Sequence, residues 1–271
     1  MVRDCELGMP RIDLNADIGE SFGVYRIGDD EHLVPLLTSA NVACGLHAGD
    51  PVVIDRTIHW VAQAGVALGA HPGFADLAGF GRREMAMASH EIEASVAYQV
   101  SAVAGMGQRA GLLLQHVKPH GALYTQAWHS RAVATAIAQG VASVGPALIL
   151  VAPSDSELAR AGMAAGLTVA REGFPERGYR ADGSLVPRGL PGAILSDPLE
   201  VAERALGMVM ESTTTAADGT LVHLQVDTLC IHGDNPAAVA IAGALRSSLT
   251  ASGVTLVPMA EVVGGRRAVD G

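Results

Sequence analysis

Aromatic residues, cysteines and long apolar runs are all scarce in this 271-residue sequence. Aromatic residues make up 4% of the chain, whereas Gly and Ala abound, which favours close-packed helices and strands over an aromatic-rich β-sandwich. No apolar run approaches the roughly 18 residues that a membrane span requires, and the N-terminal stretch has no apolar signal-peptide core. These absences predict a cytoplasmic α/β protein with no membrane partner.

The few cysteines and the acidic balance exclude further classes. Cys5, Cys44 and Cys230 are too scattered for a disulfide framework or a CxxC metal site, and we interpret Cys44 and Cys230 as small buried residues at strand ends. A formal net charge of -10 argues against nucleic acid as a partner. No GxxxxGK[ST] phosphate loop and no GxGxxG after a strand occurs, so the chain has no recognisable nucleotide site.

Short apolar runs alternate with longer helical patterns along the chain, as is typical of repeated βα units and a parallel sheet. No linker interrupts them, which predicts one domain over 1–271 with a loose N-terminus at 1–10. The segment from Gly173 to Pro198 has no helical period, and we interpret it as an ordered loop over the site. The pattern predicts seven or eight strands, namely Ile12–Asp17, Ala40–Cys44, Val66–Ala70, Leu113–Lys118, Ala147–Val151, Leu167–Arg171, Thr228–Ile231 and a short one at Val254–Val257.

Amphipathic patterns between these strands predict the helices. Two of them begin at an Asx-Pro pair, in which the Asx side chain can cap the helix and Pro suits its first position. The predicted helices open at Asp50-Pro51 and Asn235-Pro236 and run through 92–104, 133–144, 157–165 and 199–210.

Polar side chains follow at least six of the predicted strands. The carboxyl ends of parallel strands meet at one face, where the active sites of barrels and doubly wound sheets lie. An open sheet would present only the residues near its switch point, so a distribution around the whole chain favours a closed barrel. The candidate residues are Asn15, Asp17, Glu20, His47, Asp50, His71, Lys118, His120, Tyr124, Glu172, Arg177, His232, Asp234 and Asn235.

Each candidate has a structural alternative. Asp50 precedes a helical proline, so the alternative to a functional role is that it is only the N-cap of the helix. That would leave His47 of the same turn facing the site. Lys118 closes an apolar strand, and burying its charge requires a partner, for which Asp17 and Glu172 are the candidates. Arg177 on the long loop could bind a substrate carboxylate or anchor the loop.

The sequence leaves open whether the chain binds a metal ion. His47, His71, His120 and His232 together with Asp17 form a plausible histidine and carboxylate set for a divalent metal. No HExxH or comparable local signature accompanies them. The metal ligands are therefore unknown from the sequence.

Six ordered motifs resemble the LamB/YcsF family, and the resemblance covers Ile12 to Val257. The motifs are "IDLNADIGESFGVYRIGDD", "NVACGLHAGDP", "GAHPGFADLAGFGRREM", "KPHGALY", "REGFPERGYRADGSLVPR" and "IHGDNPAAV". Two positions depart from the family pattern. Glu176 stands where the family usually has Asp, and Ala16 stands where many members have Cys, which argues against a catalytic thiol there.

The resemblance implies a seven-stranded parallel β/α barrel of the glycoside hydrolase/deacetylase type. It also implies a subunit of an ATP-dependent 5-oxoprolinase, which opens the lactam of 5-oxo-L-proline to L-glutamate together with two other subunits. ATP would be a co-substrate handled mainly by those partners, and the chain could also form a homo-oligomer. A metal-dependent amidohydrolase or carbohydrate deacetylase on the same barrel, or a non-catalytic scaffold subunit, are the alternatives.

Within this scheme the candidates divide into two groups. We predict that four of them carry catalysis, namely Asp17, His47, Lys118 and His120. We predict that the others bind substrate, namely Asn15, Glu20, His71, Tyr124, Glu172, Arg177, His232 and Asp234.

Overall fold

Seven parallel strands form a closed barrel in this computed structural model, which describes residues 9–270 and the side chains of 9–265. The barrel closes because the last strand pairs with both the first and the sixth. The predicted seven-stranded β/α barrel is therefore confirmed. The barrel strands are β1 (Arg11–Ile18), β2 (Ser39–Ala43), β3 (Ala67–His71), β4 (Leu114–Val117), β5 (Ile149–Pro153), β6 (Thr168–Gly173) and β9 (Thr228–His232).

Three further strands lie outside the barrel. An antiparallel hairpin of β7 (Thr213–Thr215) and β8 (Leu221–His223) was not predicted from the sequence. The predicted strand at Val254–Val257 is reduced to β10 (Thr255–Leu256), which adds to the start of β1. The predicted barrel strands differ from the observed ones by one or two residues at either end. Cys5 and most of the predicted loose N-terminus lie outside the described residues.

The helices surround the barrel and follow the strands in sequence. They are α1 (Asp30–Leu33), α2 (Pro51–Ala64), α3 (Ser89–Arg109), α4 (Gly121–His129), α5 (Arg131–Val144), α6 (Glu157–Ala164), α7 (Pro198–Leu206), α8 (Ala238–Ala251) and α9 (Met259–Asp270). A π-helical turn at Gly207–Glu211 extends α7, and α1, α4 and α9 were not predicted. Among residues 9–270, no helix is both long and apolar enough to cross a membrane.

The two faces of β1 show how the barrel is filled. Its residues Ile12, Leu14, Ala16 and Ile18 are buried in the main apolar core. The alternate residues Asp13, Asn15 and Asp17 are also buried, but they take part in polar contacts. Since successive side chains of a strand point to opposite faces, the inward face of β1 is polar and leads directly to the site. A second apolar cluster of Ile149, Val151 and Ala170 with Met259 and Val263 of α9 lies apart from the main core.

Hydrogen bonds between strands satisfy the polar face of β1. Asp13 accepts from the Ser39 hydroxyl at 2.6 Å, and burial raises the pKa of Asp13 to about 6. Asn15 donates to the Thr228 hydroxyl at 2.6 Å and accepts from Asn41 at 2.7 Å. Strands β2 and β9 are thereby fixed to β1 by side chains as well as through the backbone.

The β2–α2 turn shows how Asp50 is used. Its carboxylate accepts from the backbone N–H groups of Val52 at 2.8 Å and Val53 at 3.2 Å, and from that of Gly23 at 2.7 Å. Asp50 is thus the N-cap of α2, and it also fastens the loop after β1 to the helix. This geometry favours the structural alternative for Asp50.

We predict that Asp50→Ala lowers the free energy of unfolding by about 1 kcal/mol, because the N-cap bonds are lost. Asp50→Asn keeps a capping oxygen and is the matched control, for which a smaller loss is expected. Urea unfolding at pH 7 measures both. An Asp50→Ala variant as stable as the native chain would contradict the capping role.

Candidate active site

The carboxyl ends of the barrel strands surround a cavity of about 510 Å³. Most of the predicted site residues line it, namely Asp17, Glu20, His71, Lys118, His120, Tyr124, Arg177, His232 and Asp234. The remaining three, Asn15, His47 and Glu172, are buried in contact with that set. The structure therefore brings the twelve predicted residues into one region, although not all of them face the cavity.

A buried ion cluster lies at the floor of the cavity. The Nζ atom of Lys118 is 2.9 Å from Asp17 Oδ1 and 3.0 Å from Glu172 Oε1, and only 3% of Lys118 is exposed. Burial disfavours the ammonium form, but the carboxylates outweigh this effect and hold the pKa of Lys118 well above its ordinary value. Lys118 is the only lysine in the sequence, and it is a fixed cation in the site.

Cys230 takes part in this cluster, which corrects its interpretation as a mere small apolar residue. Its Sγ atom lies 2.8 Å from Lys118 Nζ. Burial raises the pKa of the Cys230 thiol well above its ordinary value, so Cys230 is neutral at pH 7. The pairing charge for Lys118 therefore comes from the two carboxylates.

Neighbouring side chains orient both carboxylates. Asp17 Oδ1 accepts from Asn41 Nδ2 at 2.9 Å, and Tyr124 donates to Glu172 Oε2 at 2.7 Å. Burial opposes ionisation of Asp17, but the positive charges near it, including Lys118, hold its pKa well below the ordinary value. Asp17 is therefore an anchored anion and a weak base. Asn41 was not among the predicted site residues.

Three imidazoles and a carboxylate form a second group, which we call the histidine cluster: Glu20, His47, His71 and His120. Their ligand-type atoms lie within 4.8 Å of one another, and all four side chains are buried. His71 Nε2 and His120 Nδ1 are 3.0 Å apart, and the ring of His47 stacks on that of His120 with centroids 3.8 Å apart. This group could hold a metal ion.

Burial also sets the charges of the histidine cluster. It lowers the pKa of both His47 and His120 well below the ordinary value, so these rings are neutral at pH 7. Burial and the nearby charges of Asp17 and Asp234 raise the pKa of Glu20 well above its ordinary value. The metal set considered from the sequence is divided, because His232 lies with Asp17 and Cys230, whereas His47, His71 and His120 lie with Glu20. Asp17 lies between the two groups, since its Oδ2 is 3.4 Å from His71 Nε2.

His232 forms a dyad with Glu176. The Nδ1 atom of His232 is hydrogen-bonded to Glu176 Oε1, and the backbone N–H of His232 donates to the same oxygen at 2.9 Å. Glu176 Oε2 also accepts from Asn235 Nδ2 at 3.2 Å. Because a carboxylate accepts the bond from Nδ1, the proton lies on Nδ1 and Nε2 keeps its lone pair. Glu176 was not among the predicted site residues. The only signal for it in the sequence was that it replaces the Asp that is usual in the family.

The long loop between β6 and α7 covers the cavity, and Arg177 fastens it. The guanidinium donates to the carbonyl oxygens of Ala193 at 3.0 Å and Val186 at 2.7 Å. These bonds favour the loop-anchoring alternative for Arg177 over substrate binding. Asn235 accepts from Ala237 at 3.0 Å, and α8 begins at Ala238, three residues later than the predicted opening at Asn235.

Two arginines at the cavity were missed from the sequence. Arg82 pairs with Asp234, whereas Arg188 is half-buried and donates no hydrogen bond to any described side chain or backbone group. Burial and the charge of Arg82 lower the pKa of Arg188, but a guanidinium stays charged at pH 7. Both lie within two of the quoted motifs, which would have been the signal for them, but a motif alone does not show which of its side chains face the cavity.

A seven-stranded β/α barrel with titratable groups gathered at the carboxyl ends of its strands has the architecture of the TIM-like barrel enzymes. A family model described as the LamB/YcsF family matches residues 12–264, and the chain belongs to this family. The resemblance indicated by the six motifs is thus confirmed.

Relatives and solved structures agree with this assignment. A relative from Methylococcus capsulatus, named as the A subunit of 5-oxoprolinase, is 54% identical over 92% of this chain and 95% of the relative. A relative of the same name from Pyrococcus horikoshii is 47% identical over 93% of this chain and 99% of the relative. A lactam utilization protein from Thermus thermophilus superposes with a TM-score of 0.87 at 46% identity, over 92% of this chain and 99% of that one.

We predict that Lys118→Met lowers the free energy of unfolding by about 3–5 kcal/mol, because two buried carboxylates lose their counter-ion. The matched control is Arg131→Met, an exposed cation for which a change within about 0.5 kcal/mol is expected. Guanidinium unfolding at pH 7 measures both. Equal stability of the Lys118 variant and the native chain would show that the ion cluster is not formed.

Proposed function

We propose that this chain is a subunit of an ATP-dependent hydrolase that opens the lactam of 5-oxo-L-proline to give L-glutamate. The observation that carries the proposal is a general base and a fixed cation at one cavity. His232, which Glu176 holds from behind, and Lys118 both line this cavity. A His232 ring nitrogen lies within 4.8 Å of Asp17 and Cys230, which contact Lys118. The names of the relatives support the lactam as substrate.

The chemistry of a lactam explains why these groups are needed. A five-membered lactam is an unreactive amide, so its hydrolysis requires a base for water, a donor for the oxyanion and a proton for the departing nitrogen. His232 Nε2 takes a proton from water as the oxygen attacks the ring carbonyl carbon. Lys118 stabilises the negative charge that develops on the former carbonyl oxygen or on the phosphoryl group that ATP has placed there. The protonated His232 then gives its proton to the ring nitrogen as the C–N bond breaks. In the phosphorylated case, breaking the C–N bond leaves an acyl phosphate, which a second water hydrolyses to the carboxylate and inorganic phosphate.

The arginines at the cavity suit the rest of the substrate. 5-Oxoproline carries a carboxylate, and phosphorylation by ATP would add further negative charge. Arg188 has no hydrogen-bond partner among the described residues, and its guanidinium can donate two parallel hydrogen bonds to a carboxylate or phosphate. Asp234 already neutralises Arg82. We therefore assign the recognition of substrate charge to Arg188 in place of Arg177.

ATP would be handled mainly by two partner subunits. The chain has no phosphate loop of a recognised kind, and its cavity residues are those of acid–base chemistry. This division of labour makes the activity a property of the complex. The isolated chain would hold a site for the activated lactam.

The test is glutamate formation from 5-oxoproline and ATP by this chain reconstituted with its two partner subunits. We predict turnover by the complete mixture and none when any one component is omitted. Rapid turnover by the isolated chain would refute the division of labour. Unchanged turnover without this chain would refute a catalytic role for it.

We predict that His232→Ala lowers kcat by about 100- to 10,000-fold in the reconstituted complex, because general base catalysis is lost. Glu176→Gln is expected to act in the same direction, since it disturbs the orientation of His232, whereas Glu176→Asp keeps a carboxylate and loses less. The exposed His59 provides the matched control, His59→Ala. A scaffold protein would tolerate all four substitutions.

A further inference from the structure

The histidine cluster has no role in the proposed chemistry, yet its four side chains are almost fully buried. The exposed fractions are 3% for Glu20, 0% for His47, 1% for His71 and 3% for His120. Buried polar groups normally find hydrogen-bond partners, so a group that lacks them requires an explanation.

The backbone fixes one N–H group on each of two rings. His71 Nδ1 lies 2.7 Å from the carbonyl oxygen of Lys118, and His120 Nε2 lies 2.8 Å from that of Phe80. A carbonyl oxygen only accepts, so both of these nitrogens carry the hydrogen. The other nitrogens, His71 Nε2 and His120 Nδ1, face each other across 3.0 Å, and in the neutral rings both carry lone pairs. Asp17 Oδ2 also lies 3.4 Å from His71 Nε2, where its charge stabilises a proton or a metal ion between the rings.

Two facing lone pairs repel each other unless a positive centre lies between them. A zinc ion holds each ligating nitrogen at about 2.0–2.1 Å, which places two neighbouring ligand nitrogens about 3.0–3.4 Å apart. The observed separation of 3.0 Å lies at the lower end of this range. The hydrogen bonds to Lys118 and Phe80 are also the kind that orient metal-binding histidines from behind.

The remaining two members supply unpaired acceptors at the same place. Three of their atoms have no hydrogen-bond partner in the described part of the chain, namely both ring nitrogens of His47 and the Oε1 atom of Glu20. Glu20 Oε1 lies 3.5 Å from His120 Nδ1 and 3.9 Å from His47 Nε2. Leaving such groups buried and unpaired is destabilising, and one cation would offset this cost for all of them.

Glycines hold the rings in place. Gly81 has φ +63°, and a Cβ atom there would lie 2.8 Å from His47 Cβ and 2.9 Å from His120 Cδ2. A Cβ atom at Gly73 would lie 2.6 Å from His47 Nδ1. The backbone thus closes against the back of the cluster, while Glu20, His71 and His120 line the cavity on its open side.

We propose that Glu20, His47, His71 and His120 bind one divalent transition metal ion of the Zn²⁺ class. Imidazole nitrogens with one carboxylate oxygen are a ligand set that suits Zn²⁺ and disfavours Mg²⁺ and Ca²⁺. His47 stacks on His120 and must turn about its Cβ–Cγ bond to direct Nε2 at the ion, which breaks no hydrogen bond. The open side next to the cavity leaves a coordination position for water or substrate.

This inference goes beyond the proposed function and does not depend on it, because metal binding can be measured without substrate or partner subunits. The tag-free full-length chain is stripped with a chelator and titrated with Zn²⁺ by calorimetry, and the bound metal is counted by elemental analysis. We predict one equivalent of tightly bound Zn²⁺ and a higher Tm of the loaded chain.

Variants locate the ion. His120→Ala and the nearly isosteric Glu20→Gln are each expected to weaken binding by roughly 100-fold or more, because losing a direct ligand costs more than the 10- to 100-fold typical of an outer partner. His59→Ala controls for surface histidines, and His232→Ala controls for the group of Asp17, Cys230 and His232. Both controls should keep one tight equivalent.

Three results would overturn the proposal. The first is the absence of tight stoichiometric binding by the native chain. The second is tight binding that survives both cluster substitutions or disappears in either control. The third is a metal-free chain whose ¹⁵N spectra show a proton shared between His71 and His120 and do not change when Zn²⁺ is added. None of them would bear on lactam hydrolysis.

Discussion

The charge of Lys118 is the constraint on which the rest of the site depends. Removing an ammonium group from water costs several kcal/mol, and this cost is offset only where opposite charges and hydrogen bonds are closely arranged. Asp17 and Glu172 supply the charges at 2.9 and 3.0 Å, and each carboxylate must itself be held in position. Asn41 and Tyr124 do this from neighbouring elements of the barrel.

The same requirement explains the polar residues inside the barrel. A barrel of seven short strands has little room inside, and aliphatic side chains would fill it with no further constraint. Here hydrogen bonds connect Asp13 through Thr228 and Asn15 to Asn41, which contacts Asp17. His116 joins at Asn41 with a distance of 2.8 Å, and Gly69 makes room for its ring, since a Cβ atom at 69 would overlap it. The network fixes strand register and site geometry together.

The sequence predicted the barrel and the region of the site well, because both follow from periodicity. Strand ends of parallel βα units must meet at one face, so the polar residues that follow them must converge. Which side chains of the site contact each other could not be predicted from periodicity, because these contacts depend on the conformation of each loop. His232 pairs with Glu176 of the long loop, and His47 lies with Glu20 rather than facing the cavity. Arg188 and the start of α4 lie within two of the quoted motifs, but a motif does not show which side chain faces the cavity or where a helix forms.

Asp17 links the two halves of the site through its two oxygens. Oδ1 contacts Lys118 and Asn41, whereas Oδ2 lies 3.4 Å from His71 Nε2 in the histidine cluster. A carboxylate so engaged, with its pKa held low, has little capacity to accept a proton from water. Its charge instead acts on both sides, since it keeps Lys118 protonated and attracts positive charge to the histidine cluster. The general base of the proposed reaction is therefore assigned to a different group, His232, whose Nδ1 is held by Glu176.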